Sequence, residues 1–180
     1  MRSPGRPNIL LTGRPGTGKT TAIQNALAQL EGVRLGGFIT AAVEERGCRT
    51  GFTIADIRGP TGILASVDQP TGPRVSRYRV NVPDIERIGV AALEWALAEA
   101  DAIICDEIGR MELFCPEFCD AIIRCLDSPK PLLGTLQARH NEFLDAIRER
   151  GDVNVVTVTR ENRDQLPAEL AGTMRSLLKP

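Results

Sequence analysis

The sequence predicts one α/β domain over residues 1–180, built on a doubly wound, mainly parallel sheet covered by helices on both faces. Three observations predict it. Continuous apolar runs such as NILLT (8–12), AIIC (102–105) and VNVVTVT (153–159) lack the alternation of a half-exposed strand. They alternate with stretches whose apolar residues recur at helical spacing. The first run stops in GRPGTGKTT (13–21), a glycine-rich turn that opens directly into a helical pattern.

The elements follow in chain order. NILLT is the first strand, and Ala22, Ile23, Ala26, Leu27 and Leu30 share one face of a helix over residues 20–30. GGFITAAVEE (36–45) and RTGFTIADI (49–57), joined by Arg46-Gly47, read as a hairpin or neighbouring strands. Residues 58–82, rich in Pro, Gly and Arg, read mostly as loop with a short strand near Tyr78. Pro83 then starts a helix, marked by Ile85, Ile88, Ala92, Leu93, Ala96 and Leu97, that ends near Asp101. AIIC forms a buried strand ending in Asp106-Glu107. Pro116 starts a helix carrying Phe118, Ala121, Ile122 and Cys125, stopped at Asp127-Ser128-Pro129. PLLGTLQ (131–137) is the next strand, residues 142–150 a short helix, and VNVVTVT the last strand before a C-terminal helix.

Composition narrows the classes. A chain of 180 residues with 42% hydrophobic content suits one core, and a net charge of −1 gives no global positive field toward nucleic acid or anionic membrane. The start MRSPGRPNILLTG carries too few apolar residues before its glycines for a signal peptide or membrane span, so a cytoplasmic protein is expected. Five cysteines with no C-x-x-C pair read as reduced thiols. Cys115 and Cys119 lie one helical turn apart, but no acidic or His partner stands at zinc spacing.

Gly13-x-x-x-x-Gly18-Lys19-Thr20 matches the phosphate-loop pattern at every fixed position. Glycines bring backbone N–H groups close to anionic oxygens, and the helix that starts there adds its positive end. Gly13, Arg14, Pro15, Gly16, Thr17, Gly18, Lys19, Thr20 and Thr21 are therefore the expected nucleotide-binding residues. Pro15 stiffens the loop, Thr21 is placed for the α-phosphate, and Lys19 supplies a cation for the β- and γ-phosphates. The Thr20 hydroxyl is a Mg²⁺ ligand, with Asp106 completing the sphere at a strand end where open parallel sheets hold their ligands. Glu107, one residue on, can polarise a water in line with the γ-phosphate. A carboxylate poised on water suits hydrolysis better than transfer to an acceptor.

The chain resembles the small, single-domain nucleoside-triphosphatase family sometimes called cancer-related nucleoside-triphosphatases. GGFITAAVEERGCRTGFTIADI, DEIGRMEL, LDSPKPLLGT and ENRDQL look like family signatures in family order. The resemblance implies a doubly wound P-loop NTPase fold of the catalytic-glutamate, RecA-like type, and Mg²⁺-dependent hydrolysis of ATP, GTP and other nucleoside triphosphates with loose base preference. Arg110 stands where lysine is expected and Ser76 where glycine is expected, which bears on rate more than on reaction type.

Secondary candidates are Thr135, as γ-phosphate sensor, water-orienting group or backbone-satisfied strand end, and Arg110, Arg139, Arg160 and Arg163 for transition-state charge. Asn162 and Arg163 follow the last strand, where a base or ribose can lie. The lone His140 reads as a capping or surface residue, and Trp95 as core. The alternatives are a nucleotide or small-molecule kinase with residues 58–79 as lid, and a slow nucleotide-dependent switch; a nucleic-acid motor is disfavoured. Nucleoside triphosphates are the expected partners, membranes and nucleic acid are not, and a monomer is expected.

Overall fold

The computed structural model describes residues 8–178. The reading of the extreme N-terminus falls partly outside that range.

One nine-stranded sheet carries the chain. Its elements are β1 (Asn8–Thr12), α1 (Lys19–Leu27), β2 (Leu35–Glu45), β3 (Cys48–Asp56), β4 (Thr61–Ser66), β5 (Arg74–Val75) and β6 (Tyr78–Val80). Then come α2 (Val82–Asp84), a π-helical stretch (Ile85–Val90) and α3 (Ala91–Glu99), which run on as one helix. β7 (Ala102–Ile108), a short 3₁₀ turn (Glu112–Phe114), α4 (Pro116–Asp127), β8 (Leu132–Leu136), α5 (Glu142–Arg148), β9 (Val153–Thr157) and α6 (Leu166–Leu178) complete it.

The strand order is β5-β6-β4-β3-β2-β7-β8-β1-β9. From β2 to β9 all pairings are parallel; from β2 outward to β5 all are antiparallel. The sheet is thus mixed, a parallel core joined to an antiparallel extension.

Alternate residues of the core strands face opposite layers, as the two-residue period of a strand requires. Leu10, Ile103, Cys105 and Leu132 pack with the helix over 82–99, α4 and α5, whereas Ile9, Leu11, Ile104 and Leu133 pack with α1 and α6. Both faces are covered, so the central strands are mostly apolar, with their polar residues at or near the ends. Truncating one of these buried side chains, Leu10 for example, costs about 2–5 kcal/mol.

Two readings of the sequence change. Within residues 58–82 the stretch TGILAS is a strand, β4, paired with β3 and β6, because Leu64 and Ala65 are buried against the core and backbone pairing overrides the surrounding Pro and Gly. The helix expected after Pro83 carries a π-helical stretch over Ile85–Val90, where a Cβ on Gly89 would come within 2.9 Å of Ile54 of β3. The Arg46-Gly47 turn is as expected, with both residues at positive φ (50° and 77°).

Register decides where the extension stands. Ile39 of β2 pairs with Asp106 of β7, so β2 runs six residues, about 20 Å, past its last pairing with β7. The hairpin therefore rises beside the edge where β1, β7 and β8 deliver their C-terminal residues.

Candidate active site

The phosphate loop leaves β1 at Thr12 and enters α1 at Lys19. Gly13, Gly16 and Gly18 take φ of 144°, 78° and 98°, where a side chain would be strained. At Gly13 a Cβ would also come within 2.8 Å of the Val158 carbonyl oxygen, so the loop lies against the end of β9. Thr17 Oγ1 donates to the Arg14 carbonyl at 2.9 Å, closing the turn, and Lys19 Nζ donates to the Gly13 and Arg14 carbonyls at 3.2 and 3.3 Å. The Lys19 ammonium is thus curled over the loop. α1 has no side-chain cap and no acidic residue in its first turn, so no side chain neutralises its positive end.

β7 brings the carboxylates to this cation. Asp106 is fully buried, and Thr135 Oγ1 of β8 donates to its Oδ1 at 2.7 Å. Burial raises the Asp106 pKa above the ordinary carboxylate value; the Thr135 and Thr20 hydroxyls and the Lys19 charge oppose that shift. Its second oxygen, Oδ2, is buried and accepts no hydrogen bond. A buried carboxylate oxygen left in this state, beside a threonine hydroxyl at the start of the phosphate-loop helix, fits a hard divalent cation. Glu107, half-buried, is also raised, by burial first and by Asp106, against the pull of Lys19. The Asp106–Glu107 peptide is cis.

The loop after β7 is tied to β8. Gln137 Oε1 accepts from the Arg110 amide at 3.0 Å, and the Gln137 amide donates to the Ile108 carbonyl at 3.0 Å. Arg148 of α5 binds the Gln137 carbonyl in turn. Arg110 itself is exposed on this loop.

Several expectations resolve. Thr135 donates its hydroxyl to Asp106 and not to backbone. Asn162 caps the turn after β9, accepting from the Thr159 amide at 2.8 Å and donating to the Thr157 carbonyl at 2.9 Å. Arg163 stands beside Gly18, its Cδ 3.9 Å from where a Cβ would be, and lines a cavity of about 430 Å³ with Gly16, Thr21, Asn25 and Asp164. Arg160 is exposed, and the Arg139 carbonyl accepts from Arg148. His140 is exposed with Nδ1 3.3 Å from Asp145, while Asn141 supplies the α5 cap. Trp95 is partly buried under the Arg58 guanidinium, 4.3 Å from the ring centre. The five cysteines are free thiols.

Sequence reasoning assigned no role to two residues: Gln137, whose amide ties the loop, and Glu112, a carboxyl only 4% exposed on the 3₁₀ turn beside the β7 pair. A glutamate amid apolar neighbours in MELF was the available signal.

A family model described as NTPase matches residues 8–171. The chain is 46% identical over 176 residues to nucleoside-triphosphatase THEP1 of Thermofilum pendens, covering 95% of this chain and 97% of that one. Identity to THEP1 of Thermotoga maritima is 40%, covering 93% and 95%. The crystal structure of THEP1 from Aquifex aeolicus superposes with a TM-score of 0.84 at 33% identity, over 96% of this chain and 99% of that one. The solution structure of a human cancer-related nucleoside triphosphatase gives 0.78 at 33% identity, over 94% and 98%.

Proposed function

The chain belongs to this NTPase family and hydrolyses nucleoside triphosphates, and we propose that it does so with Mg²⁺, with little base preference, through Lys19 and Glu107. The observation that supports the site is the convergence of two distant segments: the charge of Lys19, from the loop after β1, acts on both carboxylates at the end of β7.

In this reading the amides of residues 13–21 cradle the phosphates, Lys19 leaves its loop carbonyls for the β- and γ-oxygens, and Thr21 meets the α-phosphate. Thr20 and Asp106 would hold Mg²⁺, which would supply positive charge to neutralise that developing on the phosphates. Thr135 keeps Asp106 ionised and oriented. Glu107, its basicity raised by burial, accepts a proton from water as the water oxygen bonds to the γ-phosphorus. The bond from that phosphorus to the β-bridging oxygen breaks, giving nucleoside diphosphate and inorganic phosphate.

Arg163 remains the candidate beside the phosphate loop for base or phosphate contact; Arg110, on the tethered loop, is the candidate for transition-state charge. Residues 1–180 act as one domain and, in this proposal, as a cytoplasmic monomer. Among the described residues no helix is long and apolar enough to cross a membrane.

The test is phosphate release from ATP, GTP, CTP and UTP, with Mg²⁺ and with excess chelator, with and without candidate acceptor molecules. Comparable Mg²⁺-dependent release from all four without an acceptor is expected. Release that needs an acceptor, with a phosphorylated product, would identify a kinase instead.

A further inference from the structure

Glu107 sits where β7 has lost most of its neighbours. On one side the last rung to β2 is Ile39–Asp106, so the chain from Glu107 onward has no further pairing with that strand. On the other side the register to β8 shifts: Cys105 pairs with Gly134 and Ile108 with Leu136, three steps along β7 against two along β8. Asp106 and Glu107 fall inside this one-residue bulge. A bulge re-aims side chains but gives up the ladder bonds that would hold them in place.

The lost support resumes at Gln137, the residue after β8. Its backbone amide donates to the Ile108 carbonyl, and its side-chain Oε1 accepts from the Arg110 amide, both at 3.0 Å. Oε1 thus stands in for the backbone carbonyl that a longer β8 would offer. The side chain lies along Gly109, its Cβ and Cδ 3.5 and 3.6 Å from where a Cβ there would be, which is ordinary contact distance. Gln137 is itself fixed from behind: the Arg148 guanidinium of α5 binds its carbonyl, donates to the Arg139 carbonyl at 3.1 Å and pairs with Asp145. An unbroken set of contacts therefore runs from α5 through Gln137 to the loop after Glu107. A carboxylate that must address one water has to be held to within about 0.5 Å, and upstream β2 and Thr135 already hold Asp106. Gln137, with the single rung at Ile108, is the downstream anchor.

We propose that Gln137 is a positioning residue for hydrolysis: its carboxamide oxygen fixes the backbone after Glu107, and with it the direction from which that carboxylate addresses the attacking water. This rests on Glu107 being the base. Gln137 touches no reacting atom and exchanges no proton.

The experiment compares wild type, Q137M, Q137E, E107Q and E107Q/Q137M as full chains, with Mg²⁺ and ATP in single turnover. Q137M keeps the length of the side chain without the acceptor and should lose about tenfold to a hundredfold in rate, the scale of a small misplacement of a reacting group. Titration with a non-hydrolysable ATP analogue should show wild-type affinity and stoichiometry; a side chain needed only for folding would lower the stoichiometry together with the rate. Q137E restores an acceptor oxygen at the same reach and should recover most of the loss. In E107Q, where the base is already gone, adding Q137M should cost less than about threefold, because residues that act as a unit are not additive. Amide exchange by NMR is independent of turnover: the Arg110 N–H should be protected in wild type and exchange about tenfold faster or more in Q137M, with the β1 amides unchanged. If Q137M melts at the assay temperature, Q137E and the wild-type protection of Arg110 still decide.

A wild-type rate in Q137M, a Q137E as slow as Q137M, or an Arg110 amide that exchanges freely in wild type would overturn the proposal. A slow E107Q in which Q137M costs as much as it does alone would remove the role of Gln137 and leave the base. Wild-type turnover in E107Q would remove both.

Discussion

Lys19 and Thr135 act on the same carboxylate from different elements, and their removal separates two kinds of loss. Lys19 carries the charge the phosphates need, so Lys19→Ala should weaken nucleotide binding about tenfold to a hundredfold, read by titration calorimetry. Unaltered affinity would place Lys19 outside the phosphate site. Thr135 instead donates to a buried group. Thr135→Val, close in shape but without the hydroxyl, leaves Asp106 Oδ1 without that donor and should cost about 1–3 kcal/mol of stability by urea unfolding, with a parallel loss of turnover. Full stability in the valine variant would mean that water or Thr20 replaces the donor without penalty.

The loop–3₁₀ segment after β7 couples the site to folding through pH. Glu112 has an ordinary value near 4.5 when unfolded and is held up to about 8 in the native chain, so the native state binds this proton more tightly. Its contribution to stability is then present in full below about 4.5 and is lost as pH rises through about 8. Thermal unfolding of wild type and E112Q across that window should show wild type losing ground steadily; parallel curves would contradict the assignment. The legibility of the fold follows the same division between local and distant causes. β1, α1, the β2–β3 hairpin, α4 and β8 could be read from the sequence because their period, caps and turn residues are local signals. β4 could not: its pairing partners lie in β3 and in β6, while its own neighbours are turn formers. The same limit explains Glu112 and Asn162. Gly13, Gly18, Lys19 and Thr20 announce themselves by spacing, but whether a carboxyl or an amide is spent inside the protein depends on how its loop folds back.

The sheet brings the machinery together. β1 and β7, nearly a hundred residues apart, are separated by β8 alone, and their parallel direction delivers the phosphate loop and the acid pair to one edge. The antiparallel extension rises beside that edge. Nucleotide binding at the loop should stabilise the whole chain: at a free Mg²⁺–nucleotide concentration about a hundredfold above Kd, linkage gives about 2.7 kcal/mol, visible as a higher Tm that chelator reverses. A Tm indifferent to nucleotide would argue that the loop does not bind it in the native state. The account turns on Glu107 acting on water opposite a phosphate held by the loop, and single-turnover phosphate release by Glu107→Gln at saturating nucleotide tests this most directly. The rate should fall by roughly 10²-fold or more with nucleotide affinity kept; release at the wild-type rate would contradict it.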